Sequence, residues 1–119
     1  MIHSPSPNFD TRKSNANVDM LVLHYTGMRD GHVALERLRD PATKISAHYM
    51  IEEEGTVYAL VDEELRAWHA GVSCWAGQRD VNGCSIGIEL VNPGHELGYH
   101  PFPAKQRDAL VMLAEDVVC

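Results

Sequence analysis

No stretch of this chain approaches the ~18 consecutive apolar residues that a membrane-spanning helix needs, and no cluster of lysine or arginine interrupts it. The first absence argues against a helical membrane span. The second, with 10 basic against 17 acidic residues and a formal charge of −7, leaves no electrostatic footprint for a nucleic-acid backbone or an anionic lipid surface. Neither is an expected partner. The opening residues, Met1 to Asp10, hold no apolar export segment, which points to a cytoplasmic protein. Cysteine is scarce. Cys74, Cys84 and Cys119 leave one thiol unpaired under any scheme, and no Cys-x-x-Cys spacing offers a thiolate metal site. Reduced thiols are expected, with a Cys74–Cys84 bridge as the lesser alternative. No repeat or low-complexity linker divides the 119 residues, and 45% hydrophobic side chains are enough for one domain, residues 1–119, with a real core.

What is present reads as alternating strands and helices. The first 18 residues, rich in Ser, Pro and Asn, suit an extended arm laid on the surface. Met20 to Tyr25 is a short continuous apolar run, the mark of a strand covered on both faces. Asp30 is placed to cap a helix carrying Val33, Ala34 and Leu38, which Asp40-Pro41 stops. Ser46 to Glu52 and Val57 to Val61 flank a turn at Gly55 and form a hairpin. Ser85 to Val91 makes a fourth strand, and Pro103 opens a helix with Leu110, Leu113, Ala114 and Val117 at helical spacing. The order predicts an α/β (α+β) fold, a central mixed β-sheet with helices packed on its faces.

Two strands each carry a group foreign to an apolar core. His24 shares a face with Met20 and Val22 at the carboxyl end of the first. Glu89 shares a face with Gly87 and Val91 on the fourth, beside the free space of the glycine. A buried unpaired carboxylate costs several kcal/mol, on the order of a lost ion pair, so Glu89 should meet a cation, a metal-bound water or a donor. The two strands are expected to be neighbours at the sheet centre. There, ligands gather at the carboxyl ends. A third segment, Ala67 to Trp75, sets His69 between Trp68 and Trp75, where aromatic faces stack on a sugar ring or simply anchor a loop. His48, in a strand with one face available, reads as a satisfied structural histidine. His95 and His100 fall in a loop that could line a rim.

The four stretches LVLHYTG, SAHYMI, AWHAGVSCW and SIGIELVNPG, in this order, resemble the zinc-dependent N-acetylmuramoyl-L-alanine amidases, nearest to the bacterial branch that trims muropeptides and anhydro-muropeptides. Phage amidase lysozymes and peptidoglycan recognition proteins are more distant kin. The resemblance implies that His24 is a zinc ligand and Glu89 the catalytic glutamate that handles the proton of the zinc-bound water. Ala47 stands where phage-type enzymes carry a tyrosine. Trp68, His69, Ala70 and Asn92 would border the muramoyl-peptide groove. It also implies a second zinc histidine, an acidic ligand and a lysine after the last helix, so the expected fold lacks its C-terminal part and the active site is half present. Two further expectations follow: weak zinc binding and possible self-association through an open sheet edge.

Three function classes compete. An amidase is favoured because a pure binder needs no buried base. A non-catalytic peptidoglycan-binding module is favoured by the absent ligands. A thiol hydrolase using Cys74 or Cys84 with His69 lacks the helix-start context that lowers a thiol pKa.

Overall fold

The structure, a computed structural model, describes residues 1–14, 16–28, 30–70, 80–92 and 101–118. In chain order the elements are β1 (Ile2–His3), β2 (Phe9–Thr11), β3 (Met20–Tyr25), α1 (Gly31–Arg39), β4 (Tyr49–Ile51), β5 (Val57–Ala59), β6 (Leu65–Ala67), a 3-10 turn (Asn82–Cys84), β7 (Ser85–Leu90) and α2 (Ala104–Val118). Five strands form one mixed sheet in the order β1-β5-β4-β7-β3. Among the described residues, only the β4–β5 hairpin within it is antiparallel. A separate antiparallel pair joins β2 to β6. Among the described residues no helix is long and apolar enough to cross a membrane.

The alternation in Ser85-Ile86-Gly87-Ile88-Glu89-Leu90 divides the sheet into two unlike faces. Ile86, Ile88 and Leu90 turn to α2 and pack with Leu110, Leu113 and Val117. The other face meets α1, where Ala34, Leu35 and Leu38 cluster with Met50, Leu60, Val61 and Val91. Full burial of such a side chain contributes about 1.5–3 kcal/mol, so both helices are held by apolar stripes. Their ends are set by polar atoms. The Asp30 carboxylate accepts the His32 N–H at 2.8 Å to start α1, and Asp40 ends it before Pro41. In α2, the Pro103 carbonyl accepts the Arg107 N–H at 3.0 Å. Gln106, fully buried, donates from Nε2 to the carbonyls of Ile51 and Val91 at 2.9 and 3.1 Å. That amide ties the first turn of α2 to the ends of β4 and β7. At the hairpin, Gly55 has φ 98°, the left-handed conformation that its turn requires.

Two expectations are corrected. The run Met20 to Tyr25 is not covered on both faces: β3 lies at the sheet edge, with β7 as its partner among the described residues and Leu23 and Tyr25 about half exposed. A short apolar run does not distinguish a central strand from an edge strand that is covered unevenly. The N-terminal arm is not merely laid on the surface. It supplies β1 and β2, and it buries Ser6 and Asn8. Ser6 Oγ donates to the Leu38 carbonyl, while Asn8 Nδ2 donates to the carbonyls of Asp40 and Ile45. Small polar residues read as surface because hydration is their default, but here backbone acceptors replace water.

Arg12 completes this stitching. Its guanidinium donates to the backbone oxygens of Glu63, Asn82 and Ser85 at 2.9–3.2 Å, joining the arm to the loop after β5 and the start of β7. Replacing Arg12 by Met would strand three acceptors. We expect it to lower the unfolding free energy by about 2–4 kcal/mol, measured by urea denaturation. A change below about 0.5 kcal/mol would show that water satisfies these carbonyls without the guanidinium.

Candidate active site

The parallel ladder between β3 and β7 pairs Val22 with Gly87 and His24 with Glu89. Paired residues of neighbouring strands share a face, so the imidazole and the carboxyl group project together from the α1 side of the sheet. On the other flank of Glu89 the ladder places Met50, which is fully buried. The carboxylate thus stands between an imidazole and an apolar core. Its Oε2 atom is buried and has no hydrogen-bond partner among the described residues. Burial pushes its pKa up to about 7, against the opposing pull of the Arg37 guanidinium. Glu89 opens into a cleft of about 170 Å³ between α1 and the sheet, lined also by Met28, Arg37 and Ile45. A roomier cleft of about 660 Å³, beside Arg12, Met20, Leu21 and Ile86, contains none of the predicted site residues.

The space over Gly87 is not free for Glu89, as the sequence had implied. His69 fills it: a Cβ at position 87 would lie 2.4 Å from the His69 ring. From this seat His69 Nδ1 meets His24 Nε2 at 3.0 Å, and His69 Nε2 meets Ser85 Oγ at 3.0 Å. The segment carrying the ring is anchored by Asn82, whose Oδ1 accepts the backbone N–H groups of His69 and Ala70 at 3.2 and 2.8 Å. Burial, and then the neighbouring His24 and His48, lower the His69 pKa to about 3. Burial also lowers that of His24. Both rings are neutral near pH 7.

His48 is the satisfied structural histidine that its strand predicted. Its Nδ1 accepts the Gly87 N–H at 3.1 Å, which puts the ring proton on Nε2, donated to the Leu65 carbonyl at 2.9 Å; Arg12 Nη2, 3.2 Å from the same Nε2, can only donate and so makes no hydrogen bond to it in this tautomer. Burial keeps its pKa down to about 4.

The predicted groove residues separate. Trp68 is half-buried and belongs to neither core cluster, while its backbone N–H donates to Ser46 Oγ at 2.9 Å. Ala70 lies half-buried beside His69. Asn92 is fully buried. Its N–H donates to Thr26 Oγ at 3.2 Å and its carbonyl accepts the Gly27 N–H at 2.9 Å, so it brackets the chain leaving β3. Both ring nitrogens of His69 are engaged within the protein, and a ligand hydrogen bond there would have to displace one of them. Cys74, Trp75, His95, His100 and Cys119 lie outside the described residues. Cys84 is a free buried thiol whose pKa burial raises, contrary to what a nucleophile needs.

Sequence reasoning missed Ser85 and Asn82. Ser85 had a weak signal, since it shares the face of Gly87 and Glu89. Asn82 had none, because its contacts form only after the loop closes. Among the described residues no group of three or more His, Cys, Asp or Glu could hold a metal ion. A catalytic zinc takes three protein ligands. The described residues offer the single imidazole of His24 and do not fit the ion by themselves.

A helix-covered sheet in which parallel strands end in an imidazole and a buried carboxyl group is a site for acid–base chemistry at strand termini. The family model for N-acetylmuramoyl-L-alanine amidase matches residues 14–119, and the chain belongs to that family. It is 34% identical to the N-acetylmuramoyl-L-alanine amidase AmiD of Escherichia coli (strain K12), over 92% of this chain and 44% of that protein. It is 33% identical to the 1,6-anhydro-N-acetylmuramyl-L-alanine amidase AmpD of Citrobacter freundii, over 72% of this chain and 55% of that protein. The chain therefore spans about half the length of these relatives. The structure of AmiD from E. coli with the substrate anhydro-N-acetylmuramic acid-L-Ala-D-gamma-Glu-L-Lys has a TM-score of 0.76 and 34% identity, covering 90% of this chain and 46% of that one. The expected mixed sheet with packed helices is the fold of this family.

The raised pKa of Glu89 makes a stability prediction for the metal-free protein. Between about pH 4.5, its ordinary value, and about 7, the folded state keeps a proton that the unfolded state has lost. Stability therefore falls as pH rises through that window. Glu89→Gln removes the titration. The variant should gain about 1–3 kcal/mol over the parent at pH 8 and close to nothing at pH 4, as read by denaturant unfolding at the two pH values. An equal effect at both would mean that the carboxylate is solvated in the folded state.

Proposed function

We propose that this chain carries the base and one ligand of an N-acetylmuramoyl-L-alanine amidase that acts on muropeptides and anhydro-muropeptides. The observation that carries this reading is Glu89: a buried carboxyl oxygen without a partner among the described residues, in register with His24. In the family it belongs to, the bond at issue joins the lactyl group of N-acetylmuramic acid to L-alanine. Glu89, ionised, accepts a proton from the water that attacks the lactyl carbonyl. After the C–N bond breaks, the same carboxyl group returns that proton to the leaving amine. A pKa near 7 suits both halves of the cycle, because the group must gain and lose the proton with similar ease. The substrate class is supported by the anhydro-muropeptide bound to the AmiD relative.

Zinc belongs to this proposal through His24 alone, with its other ligands outside the described residues. When bound, the ion would supply Lewis-acid polarisation of the carbonyl and a more acidic water. The lack of a three-ligand group among the described residues favours a second reading, a module that binds muropeptides without cleaving them. Incubation with an anhydro-muramoyl tripeptide and added zinc separates the two. Release of the free peptide supports the amidase. Saturable binding with no release supports the module.

Within the amidase reading, in an enzyme with its full set of zinc ligands, Glu89→Gln should leave zinc content unchanged and reduce turnover by about 10²–10⁴-fold, and His24→Ala should lower both. Zinc content by elemental analysis and peptide release by chromatography are the measurements. Full activity of Glu89→Gln would move the base elsewhere.

A further inference from the structure

Ser85 has one hydroxyl proton, and two groups compete to define it. The Val81 carbonyl, 2.6 Å from Ser85 Oγ, has no proton to give. It can only accept, so the hydroxyl donates to it. Ser85 Oγ must then be the acceptor for His69 Nε2 at 3.0 Å, which places the His69 ring proton on Nε2. A neutral imidazole has one N–H. His69 Nδ1 is therefore a bare acceptor, and the 3.0 Å contact with His24 Nε2 is a hydrogen bond only if His24 is the donor. The proton of His24 is thereby fixed on Nε2. Its lone pair is left on Nδ1, an atom with no hydrogen bond to any described residue.

We infer that His69 is a positioning residue: with Ser85 and the Val81 carbonyl it fixes the tautomer of His24 and presents the Nδ1 lone pair at the end of β3. Three features of the fold serve this one arrangement. Gly87 has no Cβ, which leaves the ring its seat on β7. Asn82 pins the backbone on which the ring is carried. Ser85 lies on the same strand face, two residues before that glycine, where it meets the far nitrogen. The paired occurrence of AWHAG and SIGIE in the sequence thus has a mechanical cause, since each supplies half of a proton-locked pair of imidazoles. An imidazole that binds a cation through one nitrogen is commonly oriented by a hydrogen bond at the other. Here the orienting acceptor is a second imidazole. What the lone pair receives, a zinc ion, rests on the amidase reading. The tautomer does not.

Two-bond 1H–15N correlations of the imidazoles in 15N-labelled, metal-free protein at pH 7.5 read the tautomer directly. The wild-type protein should show His24, His48 and His69 all protonated on Nε2. Ser85→Ala removes the acceptor, and the Nδ1–H form should then appear in both His24 and His69 while His48 stays as it was. A wild-type His24 protonated on Nδ1 overturns the proposal, and so does a Ser85→Ala spectrum in which His24 and His69 are unchanged. The wild-type spectrum decides alone if the variant does not fold. Zinc added to the same sample tests the other reading: perturbation of His24 Nδ1 with the tautomers retained supports the zinc role, whereas the expected tautomers with no perturbation show that His24 does not hold the ion in this chain and leave the lock standing.

Discussion

The alignment of β3 against β7 is the constraint from which the site follows. A parallel ladder alternates its side chains with a period of two, so a slip of one residue would carry His24 to the α2 face while Glu89 stayed on the α1 face. The register is secured beyond both ends of the strands. The Asp19 N–H bonds the Cys84 carbonyl at 3.0 Å before the pair begins, and the Thr26 N–H bonds the Leu90 carbonyl at 3.0 Å where it finishes. Asn92 then closes on Thr26 and Gly27. An edge strand with an exposed Leu23 and Tyr25 has little apolar burial to hold its register, and these polar ties supply what packing does not.

Buried and half-buried polar side chains hold several loops to the sheet. Arg12 joins the arm to the entry of β7, Gln106 joins α2 to two strand ends, and Asn82 holds the segment bearing His69. Each uses backbone carbonyls or N–H groups as partners. A buried backbone group left without a partner costs about as much as a lost hydrogen bond, so one side chain that satisfies two or three of them determines where a loop can rest. Apolar packing would hold the same loops less directionally.

Glu89 departs from that rule. Among the described residues its buried Oε2 has no partner, as is also true of the second amide atom of Gln106, but here the group is ionisable, and the folded state prefers to keep it protonated up to about pH 7. A local arrangement that lowers stability at neutral pH, maintained at the end of a strand beside an imidazole, is the kind of conflict that active sites retain.

The sequence by itself determined the face on which each strand residue lies, because alternation has a period of two whatever the surroundings. It therefore placed His24, Gly87 and Glu89 correctly on their strands, and Asp30, Gly55 and Pro103 at their turns and caps, where local backbone chemistry decides. Sequence motifs also carried the family. Only the tertiary structure decided that β3 is an edge, that the Ser/Asn-rich arm is stitched into two strand pairs, that Asn92 is buried, and that the space over Gly87 belongs to His69. These depend on contacts between residues far apart in the chain. His24 and His69 are 45 positions apart, and Arg12 and Ser85 are 73 apart. No local pattern encodes such a meeting, since it exists only once the loops have closed and the backbone acceptors have been brought within reach.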